Sequence, residues 1–165
     1  MNKHLIVIGI IVLLLAIGLS GCEELEKLDK PNYINVTVVC SVRVRAREPL
    51  PEGASEKYDK FELPLALVNV EIIKDGGERS SDILSAEGGK RQLTRTFKLY
   101  KEQSIVCIGN LVLESVPEEY SNYIFNSGSH TTPWSYIYPF TDYGGSFTQK
   151  VELTIEGWHP DLYPP

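Results

Sequence analysis

The clearest pattern in this chain is an alternation of apolar and polar residues that begins shortly after Pro31. The apolar positions are Ile34, Val36, Val38, Cys40, Val42 and Val44. The residues between them are polar except for Val39. Because successive side chains of a β-strand point to opposite faces, this alternation predicts a long strand with one buried face and one wet face.

Four further segments have the composition of strands. They span about residues 65–74, 92–100, 104–113 and 146–156. The first ends at Asp75-Gly76-Gly77, which favours a turn, and the third is the apolar run expected of a central strand covered on both sides. No helical periodicity follows Pro31, so the sequence predicts an all-β fold, an antiparallel β-sandwich. In its last strand the residues expected to face inward are Phe147, Val151, Leu153 and Ile155.

The N-terminus has the layout of a secretory signal. Lys3 and His4 precede an uninterrupted run of apolar residues and glycines, Leu5 to Leu19, and the small residues Ser20 and Gly21 follow. Basic, apolar and small residues in this order are typical of a cleaved signal peptide. A transmembrane anchor is the alternative, but a spanning helix needs about 20 apolar residues and this run is shorter.

The four residues that end this segment, Leu19-Ser20-Gly21-Cys22, resemble the lipobox of prokaryotic lipoproteins. The resemblance implies cleavage before Cys22, a diacylglyceryl group or an archaeal isoprenoid equivalent on its thiol, and a location on the outer face of the cell membrane. Each buried methylene contributes about 0.8 kcal/mol, so two lipid chains anchor a protein stably. The resulting division is a signal-peptide helix over 1–21, a charged tether over 22–31, a β-sandwich domain over 32–158 and a Pro-rich tail over 159–165.

Charge and length limit the partners of the mature chain. One of the 16 basic residues, Lys3, lies in the signal, so residues 22–165 carry 15 basic and 22 acidic side chains and a net charge of −7. This balance argues against nucleic acid, whose binding depends on phosphate neutralisation, and against electrostatic attachment to anionic lipid. The length suits one domain.

Two cysteines remain when Cys22 is committed to lipid. In an oxidising compartment, Cys40 and Cys107 favour a disulfide, which contributes roughly 4 kcal/mol in the chain-entropy account. Two buried free thiols are the alternative, because cysteine is among the most buried residue types. Neither a metal site nor a cofactor is predicted, since His130 and His159 lie far apart in the sequence and close ligand pairs are missing.

Two further segments are weaker candidates for a surface site. The loop from Glu48 to Glu62 is acidic, and carboxylates suit calcium, but it lacks the tight spacing of a calcium loop, so a solvated connection is favoured. Asn35-Val36-Thr37 is an acceptor sequence for glycosylation. It requires Asn35 to point outward, which its position in the first predicted strand allows.

A second resemblance concerns the strand that begins at Pro64. Its sequence, Pro64-Leu65-Ala66-Leu67-Val68-Asn69-Val70-Glu71-Ile72, resembles the "PLAGVTVTV" strand of carboxypeptidase-regulatory and transthyretin-like domains. In those domains a Gly-x-Phe or Gly-x-Tyr strand follows, and the segment from Glu87-Gly88-Gly89 to Phe97 is a degenerate equivalent. The resemblance implies a transthyretin-like or immunoglobulin-like sandwich and a non-catalytic accessory or cell-surface module. The long loop before Leu63 departs from the family.

Aromatic residues are concentrated between Tyr120 and Tyr143, among Ser, Thr, Gly and Pro. Exposed tyrosine and tryptophan offer a large rigid area with a polar tip, which suits sugar stacking or protein binding. The alternative, which the pattern favours, is that Tyr136 and Tyr138 alternate on a strand and close the core. The candidate binding residues are Tyr120, Tyr123, Trp134, Tyr136, Tyr138 and Tyr143.

The sequence favours a non-enzymatic function. It has no G-x-S-x-G elbow, H-E-x-x-H, Walker A or dinucleotide motif. We therefore expect a membrane-anchored module that binds an envelope protein or a surface polysaccharide through exposed, contiguous aromatics. A structural subunit of an envelope complex is the alternative and would expose an apolar face or sheet edge. A hydrolase needs a pocket with a histidine beside a nucleophile or carboxylate, drawn from Ser127, Ser129, His130, His159, Asp142 and Asp161.

Overall fold

The computed structural model describes residues 31–47, 60–85 and 90–161. The predicted signal peptide, the lipid site Cys22 and most of the tether, acidic loop and tail lie outside these residues. The described strands are β1 (Tyr33–Arg47), β2 (Lys60–Glu62), β3 (Leu67–Lys74), β4 (Glu78–Ser85), β5 (Gln92–Tyr100), β6 (Ser104–Leu111), β7 (Ile124–Phe125), β8 (Gly128–Pro133) and β9 (Ser146–Trp158). The described helical turns are α1 (Trp134–Ile137) and 3₁₀ turns at Leu113–Ser115, Glu118–Tyr120 and Tyr138–Phe140.

The predicted two-faced strands are confirmed in β1 and β9. In β1 the even-numbered residues from Ile34 to Ala46 are buried and the odd-numbered residues are half-buried. In β9 the inward positions Val151, Leu153 and Ile155 are buried. Alternation places each apolar side chain on one face of the pleated strand, so the sheet buries that face as a whole.

These strands form two sheets that pack face to face. In the first sheet β1 lies between β9 on one side and β5 and β2 on the other, and β7 pairs with the end of β9. In the second sheet the order is β4-β3-β6-β8. Buried residues from both sheets belong to one core that includes Val36, Phe97 and Leu153 from the first sheet and Val70 and Ile105 from the second. The all-β sandwich prediction is confirmed at this level.

One strand pair departs from the predicted antiparallel arrangement. β1 and β9 are parallel, from Asn35 opposite Ser146 to Arg47 opposite Trp158. The reason is the connection after β8: β8 ends opposite Ser104, close to the end of the sandwich where β1 begins. The chain crosses there to the first sheet, so β9 starts beside the start of β1 and runs in the same direction.

Four of the described strands were not expected from the sequence, and a fifth differs from expectation. β2, β4, β7 and β8 are short or mixed polar sequences without a long alternation. β6 is central, as predicted, because it lies between β3 and β8. Only its inner face is fully buried, however, and Val106 and Ile108 on the outer face are half-buried. The unbroken apolar run of β6 therefore does not mean that both faces of this strand are covered.

The predicted disulfide is not present. Cys40 on β1 and Cys107 on β6 are buried free thiols. The two strands belong to opposing sheets, and stacked sheets lie about 10 Å apart, whereas bonded cysteines need Cα atoms within about 7 Å. A hydrogen bond between the two thiols, together with burial, raises the pKa of Cys40. The alternative of two buried thiols describes this part of the core.

Candidate functional site

The central part of the aromatic segment forms the connection between β8 and β9. α1 begins directly after Pro133, and the 3₁₀ turn that follows has Pro139 in its first positions, where the missing N–H has no partner to lose. Trp134 and Ile137 are three positions apart and share the buried face of α1. Tyr136 and Tyr138 are therefore outward and half exposed. The expectation that they alternate on a strand and close the core is wrong.

Backbone hydrogen bonds hold this connection to the neighbouring strands. The Trp134 N–H donates to the Gln103 carbonyl at 2.9 Å, and the Gly144 N–H donates to the Tyr33 carbonyl at 2.6 Å. Gly144 has a φ of +78°, the left-handed region that favours glycine. A Cβ on Gly145 would lie 2.9 Å from the Asp142 carbonyl oxygen. The two glycines therefore fix the turn that delivers the chain to the start of β9.

Three rings on the β9 side of the connection form a cluster that we call the ring wall, consisting of Tyr136, Phe140 and Phe147. The Tyr136 and Phe140 centroids are 5.7 Å apart, and the Phe140 and Phe147 rings are stacked at 6.2 Å. Tyr136 meets Phe147 edge-on at 6.3 Å. Phe140 is 69% exposed. The ring wall is thus a contiguous aromatic surface with an open face.

A groove of about 220 Å³ runs beside the ring wall. It lies between β8 and the first half of β9, where neither strand has a further described strand on its outer edge. The two strands approach closely at Gly128, where a Cβ would lie 3.2 Å from the Leu153 Cβ. The residues that line the groove are His130, Thr131, Thr132, Pro133, Tyr136 and Gln149.

The groove offers hydrogen-bonding groups without fixed charge. Its described lining contains hydroxyl, imidazole and amide side chains and no Asp, Glu, Lys or Arg. His130 and Thr131 are exposed, and the Gln149 side-chain amide donates to the Lys150 carbonyl at 3.1 Å. An aromatic wall beside neutral polar groups suits a ligand with apolar ring faces and hydroxyl groups.

A second ring cluster lies at the end of the sandwich where β1 begins. We call this cluster the aromatic end; it consists of Tyr33, Tyr100, Trp134, Tyr138 and Tyr143. Trp134 stacks on Tyr138 at 5.6 Å and lies 5.5 Å from Tyr143. Tyr33 and Tyr100 are paired across β1 and β5 at 5.9 Å.

Two lysines lie over rings of the aromatic end. The Lys98 ammonium is 4.5 Å from the Tyr33 ring centroid, and the Lys74 ammonium is 5.7 Å from the Tyr100 centroid. Cations over aromatic faces are attracted by the ring quadrupole. The aromatic end therefore combines amphipathic rings with lysine stems.

The predicted binding surface is divided between the two ends of the molecule. Trp134, Tyr136, Tyr138 and Tyr143 lie where β1 begins. Tyr120 and Tyr123 lie at the opposite end, half-buried against the core, and Tyr123 meets His159 edge-on at 5.5 Å. The six predicted residues thus do not form one surface.

The residues of the hydrolase hypothesis are also scattered. Asp142 lies in the connection before β9, whereas His159 lies beyond its far end, with its Nδ1 3.9 Å from an Asp161 carboxylate oxygen. The Ser127 hydroxyl donates to the Asn110 side-chain oxygen Oδ1 at 2.9 Å. His130 lines the groove, whose described lining includes no carboxylate and no serine.

Sequence reasoning missed most residues of the groove and ring wall as binding residues: Thr131, Thr132, Pro133, Phe140, Phe147 and Gln149. Gln149 carried a usable signal, because it has the same parity as the buried residues Val151 and Leu153 of β9. A glutamine at an inward position marks where the core ends and a polar groove begins. The position of Phe140 depends on the fold of α1 and the following turn, which no periodicity indicated.

Other candidate sites have plainer surroundings. Asn35 lies on the outer face of the first sheet, half-buried between Lys98 and Ser146. A second hollow, of about 440 Å³, lies on that same face and is lined by Val39, Ser41, Gln92, Lys150, Val151 and Glu152. Glu62, at the end of the acidic loop, belongs to the described residues. Its carboxylate accepts a hydrogen bond from Arg45 Nε at 2.8 Å.

Among residues 31–47, 60–85 and 90–161, no group of three or more His, Cys, Asp or Glu side chains is placed to hold a metal ion. No helix in the described part of the chain is long and apolar enough to span a membrane. Comparison with protein-family models, curated proteins and solved structures gave no match. The class that the described residues define is therefore an all-β sandwich with an aromatic groove at one end.

Proposed function

We propose that this protein is a lipid-anchored, extracytoplasmic binding module without catalytic activity. The anchor is a lipid on Cys22, and its support is the lipobox-like sequence directly after the apolar N-terminal run. The proposed ligand site is the groove between β8 and β9 together with the ring wall. The observation that carries this proposal is the exposed, contiguous set of rings beside neutral polar side chains.

The chemistry of the groove favours a surface polysaccharide as the ligand. Sugar rings present apolar C–H faces that stack on aromatic side chains, and their hydroxyl groups match the hydroxyl, imidazole and amide groups of Thr131, His130 and Gln149. The described lining carries no fixed charge, which suits an uncharged polymer. The groove follows four consecutive residues of β8, His130 to Pro133, with Gln149 of β9 beside them, and its volume of about 220 Å³ is of the size of a short stretch of sugar units.

Binding is tested with the full chain on an array of bacterial and archaeal glycans, followed by titration of the glycans that bind. Replacing Tyr136 or Phe140 by alanine is expected to weaken binding about tenfold or more, as for an aromatic hot spot. Leu113→Ala is the matched control, because Leu113 is 67% exposed and lies at the opposite end. Equal losses in the control, or no bound glycan, contradict the proposal.

The anchor is tested separately by intact mass and membrane fractionation of the natively expressed protein. A mature species that begins at Cys22 and carries added lipid mass is expected. Cys22→Ser is expected to leave an unmodified precursor. An unprocessed chain held in the membrane by residues 5–19 contradicts the lipid anchor and leaves the groove proposal unchanged.

An accessory subunit of an envelope complex is a second candidate, and one observation favours it. β4 is the outer strand of the second sheet among the described strands, and Ile83 on it is half exposed. An open strand edge can accept a strand from a partner. Ile83→Lys is expected to abolish co-purification of such a partner, whereas Tyr136→Ala is expected to preserve it.

A further inference from the structure

The aromatic end and the attachment point of the N-terminal segment coincide. β1 begins at Tyr33, which is itself a member of the aromatic end, and residues 22–32 precede it directly. Around this point lie three rings with substantial exposure, Tyr100, Tyr138 and Tyr143. A membrane anchor on Cys22 is therefore connected through residues 22–32 to the end of the sandwich where β1 begins.

The residue types at this end are those found where proteins meet the membrane–water interface. Tyrosine and tryptophan are enriched at that level because the ring is apolar and its tip can be hydrated. Lysine stems lie along apolar surface while the ammonium group reaches water. Lys98 is exposed, with its ammonium over the Tyr33 ring, whereas the Lys74 ammonium donates to the Lys98 carbonyl at 3.2 Å and pairs with Glu78 at 3.4 Å.

The length of the tether limits how the domain can stand on a membrane. The eleven residue steps from Cys22 to Tyr33 span at most about 36–40 Å when fully extended. β1 contains 15 residues, and at roughly 3.3 Å per residue it is roughly 45–50 Å long. An upright domain with its opposite end on the lipid would place Tyr33 beyond the reach of the tether. The tether therefore selects the aromatic end over the opposite end, although Leu65, Leu113 and Ile124 are also exposed there.

We propose that the aromatic end rests on the lipid surface that carries the Cys22 anchor, with the rings of Tyr100, Tyr138 and Tyr143 at the level of the headgroups. This inference rests on the lipid anchorage proposed above. The groove beside the ring wall then opens at the side of the domain near the membrane. The anchor and the rings together attach the domain at two points and hold it in one orientation, which a single lipid attachment does not do.

The two tryptophans of the chain allow a direct test, because Trp134 belongs to the aromatic end and Trp158 ends β9 at the opposite end. Mature protein purified from membranes is reconstituted into vesicles that contain phosphatidylcholine spin-labelled at its headgroup, the level at which the rings are proposed to lie. In Trp158→Phe, where Trp134 remains one ring away from Tyr138 and Tyr143, the spin label is expected to quench the fluorescence. In Trp134→Phe, where Trp158 remains, quenching is expected to be absent. Equal quenching in the two variants, or none for Trp134, overturns the proposal.

A second pair of variants keeps the test decisive if Trp134→Phe does not fold. Tyr138→Cys and Ile124→Cys place a thiol for a polarity-sensitive fluorophore at residues that are 50% and 49% exposed at opposite ends. Cys40 and Cys107 are buried and Cys22 is occupied by lipid in the proposal, so labelling is selective. A blue shift on reconstitution is expected at position 138 alone. A shift at position 138 that follows protein concentration in lipid-free detergent solution shows a second copy of the chain instead, and overturns the proposal.

Intact mass measured on the same vesicles separates the two proposals. Lipid on Cys22 with Trp134 quenched supports both of them. Lipid on Cys22 with no quenching leaves the anchor standing and overturns the membrane contact. A chain without lipid overturns the anchor, and with it the membrane contact that depends on it.

Discussion

The two ends of the sandwich share one core but present different chemistry to solvent. Where β1 begins, exposed rings such as Tyr138, Phe140 and Tyr143 lie among the exposed charged residues Lys98, Lys101, Glu102 and Asp142. Where β1 ends, the outer face of the first sheet carries arginines that pair with glutamates of neighbouring strands. The shortest of these pairs joins Arg47 Nη2 and Glu156 Oε2 at 2.6 Å, followed by Arg45 with Glu62 at 2.8 Å and Arg43 with Glu152 at 3.3 Å.

This difference lies entirely in outward residues and connections. The buried residues of β1 continue without interruption from Ile34 to Ala46, so the core is the same kind of apolar layer at both ends. Packing against the second sheet constrains only the inward face. The outward face is free to carry rings at one end and ion pairs at the other. The two ends can therefore serve different roles on one scaffold.

The largest expected effect concerns the core that joins the two ends. Cys40 and Cys107 are buried within it, and the raised pKa of Cys40 keeps its thiol protonated at neutral pH. We expect both thiols to react with a disulfide reagent at least about 10³-fold more slowly in the folded protein than in denaturant, because reaction requires opening of the core. The rate of thiol labelling with and without denaturant measures this. Cys22→Ser removes the third thiol, which lies outside the described residues, and rapid labelling of Cys40 or Cys107 in the folded protein contradicts a continuous core.

The next effect concerns the support of the aromatic end. Ile137 lies on the buried face of α1 and is 0% exposed. Ile137→Ala is therefore expected to lower the free energy of unfolding by about 2–5 kcal/mol. Tyr136→Ala, one residue earlier and half exposed, is the control and is expected to cost about 1 kcal/mol or less. Urea denaturation measures both changes. Equal losses in the two variants would mean that α1 does not bury Ile137 as described.

A smaller effect is expected at the opposite end. The Arg47 and Glu156 side chains are partly buried and joined by a short hydrogen bond. A double-mutant cycle with Arg47→Met and Glu156→Gln is expected to give a coupling of about 1 kcal/mol. Because the pair is partly shielded from solvent, added salt is expected to reduce this coupling only in part. A coupling of zero contradicts a structural role for the pair.

The sequence predicted the strands with an alternating or unbroken apolar pattern and missed those with neither. β1, β3, β5 and β9 alternate, β6 is an apolar run, and the buried apolar residues of all five lie in the core. β2, β4, β7 and β8 take their positions from pairing with neighbours rather than from their own pattern. The parallel pairing of β1 with β9 was also unpredictable, because it depends on where the connection after β8 crosses.

The candidate site was predicted in composition but not in arrangement. Aromatic concentration near the C-terminus indicated the segment that contains most of the rings described above, yet Pro133 and Pro139 start helical turns there instead of a strand. A strand would have alternated Tyr136 and Tyr138 into the core. A helical turn buries Trp134 and Ile137 instead, so the tyrosines point outward. Local proline chemistry, which a search for periodicity does not weigh, decided which rings are exposed.

The smallest effect is expected at an ion pair that belongs to neither end. Asp82 on β4 accepts hydrogen bonds from the Lys90 ammonium and from the Ile83 N–H, and these lower the pKa of its carboxyl below the ordinary value. Because the folded state favours the ionised carboxylate, the lowered pKa stabilises the fold at every pH above the ordinary pKa of the carboxyl, including neutral pH. That contribution is lost as the pH falls through the pKa of Asp82 in the folded protein.

Lys90→Gln is therefore expected to raise the pKa of Asp82 towards its ordinary value without reaching it, because the Ile83 N–H remains. The change is followed by carbon-13 NMR titration of the carboxyl. The free energy of unfolding of this variant is expected to equal that of the parent at acidic pH and to be slightly lower than that of the parent at neutral pH. High salt is expected to remove this difference, because the ion pair is exposed. An unchanged titration curve in Lys90→Gln would show that the Ile83 N–H alone holds the carboxylate.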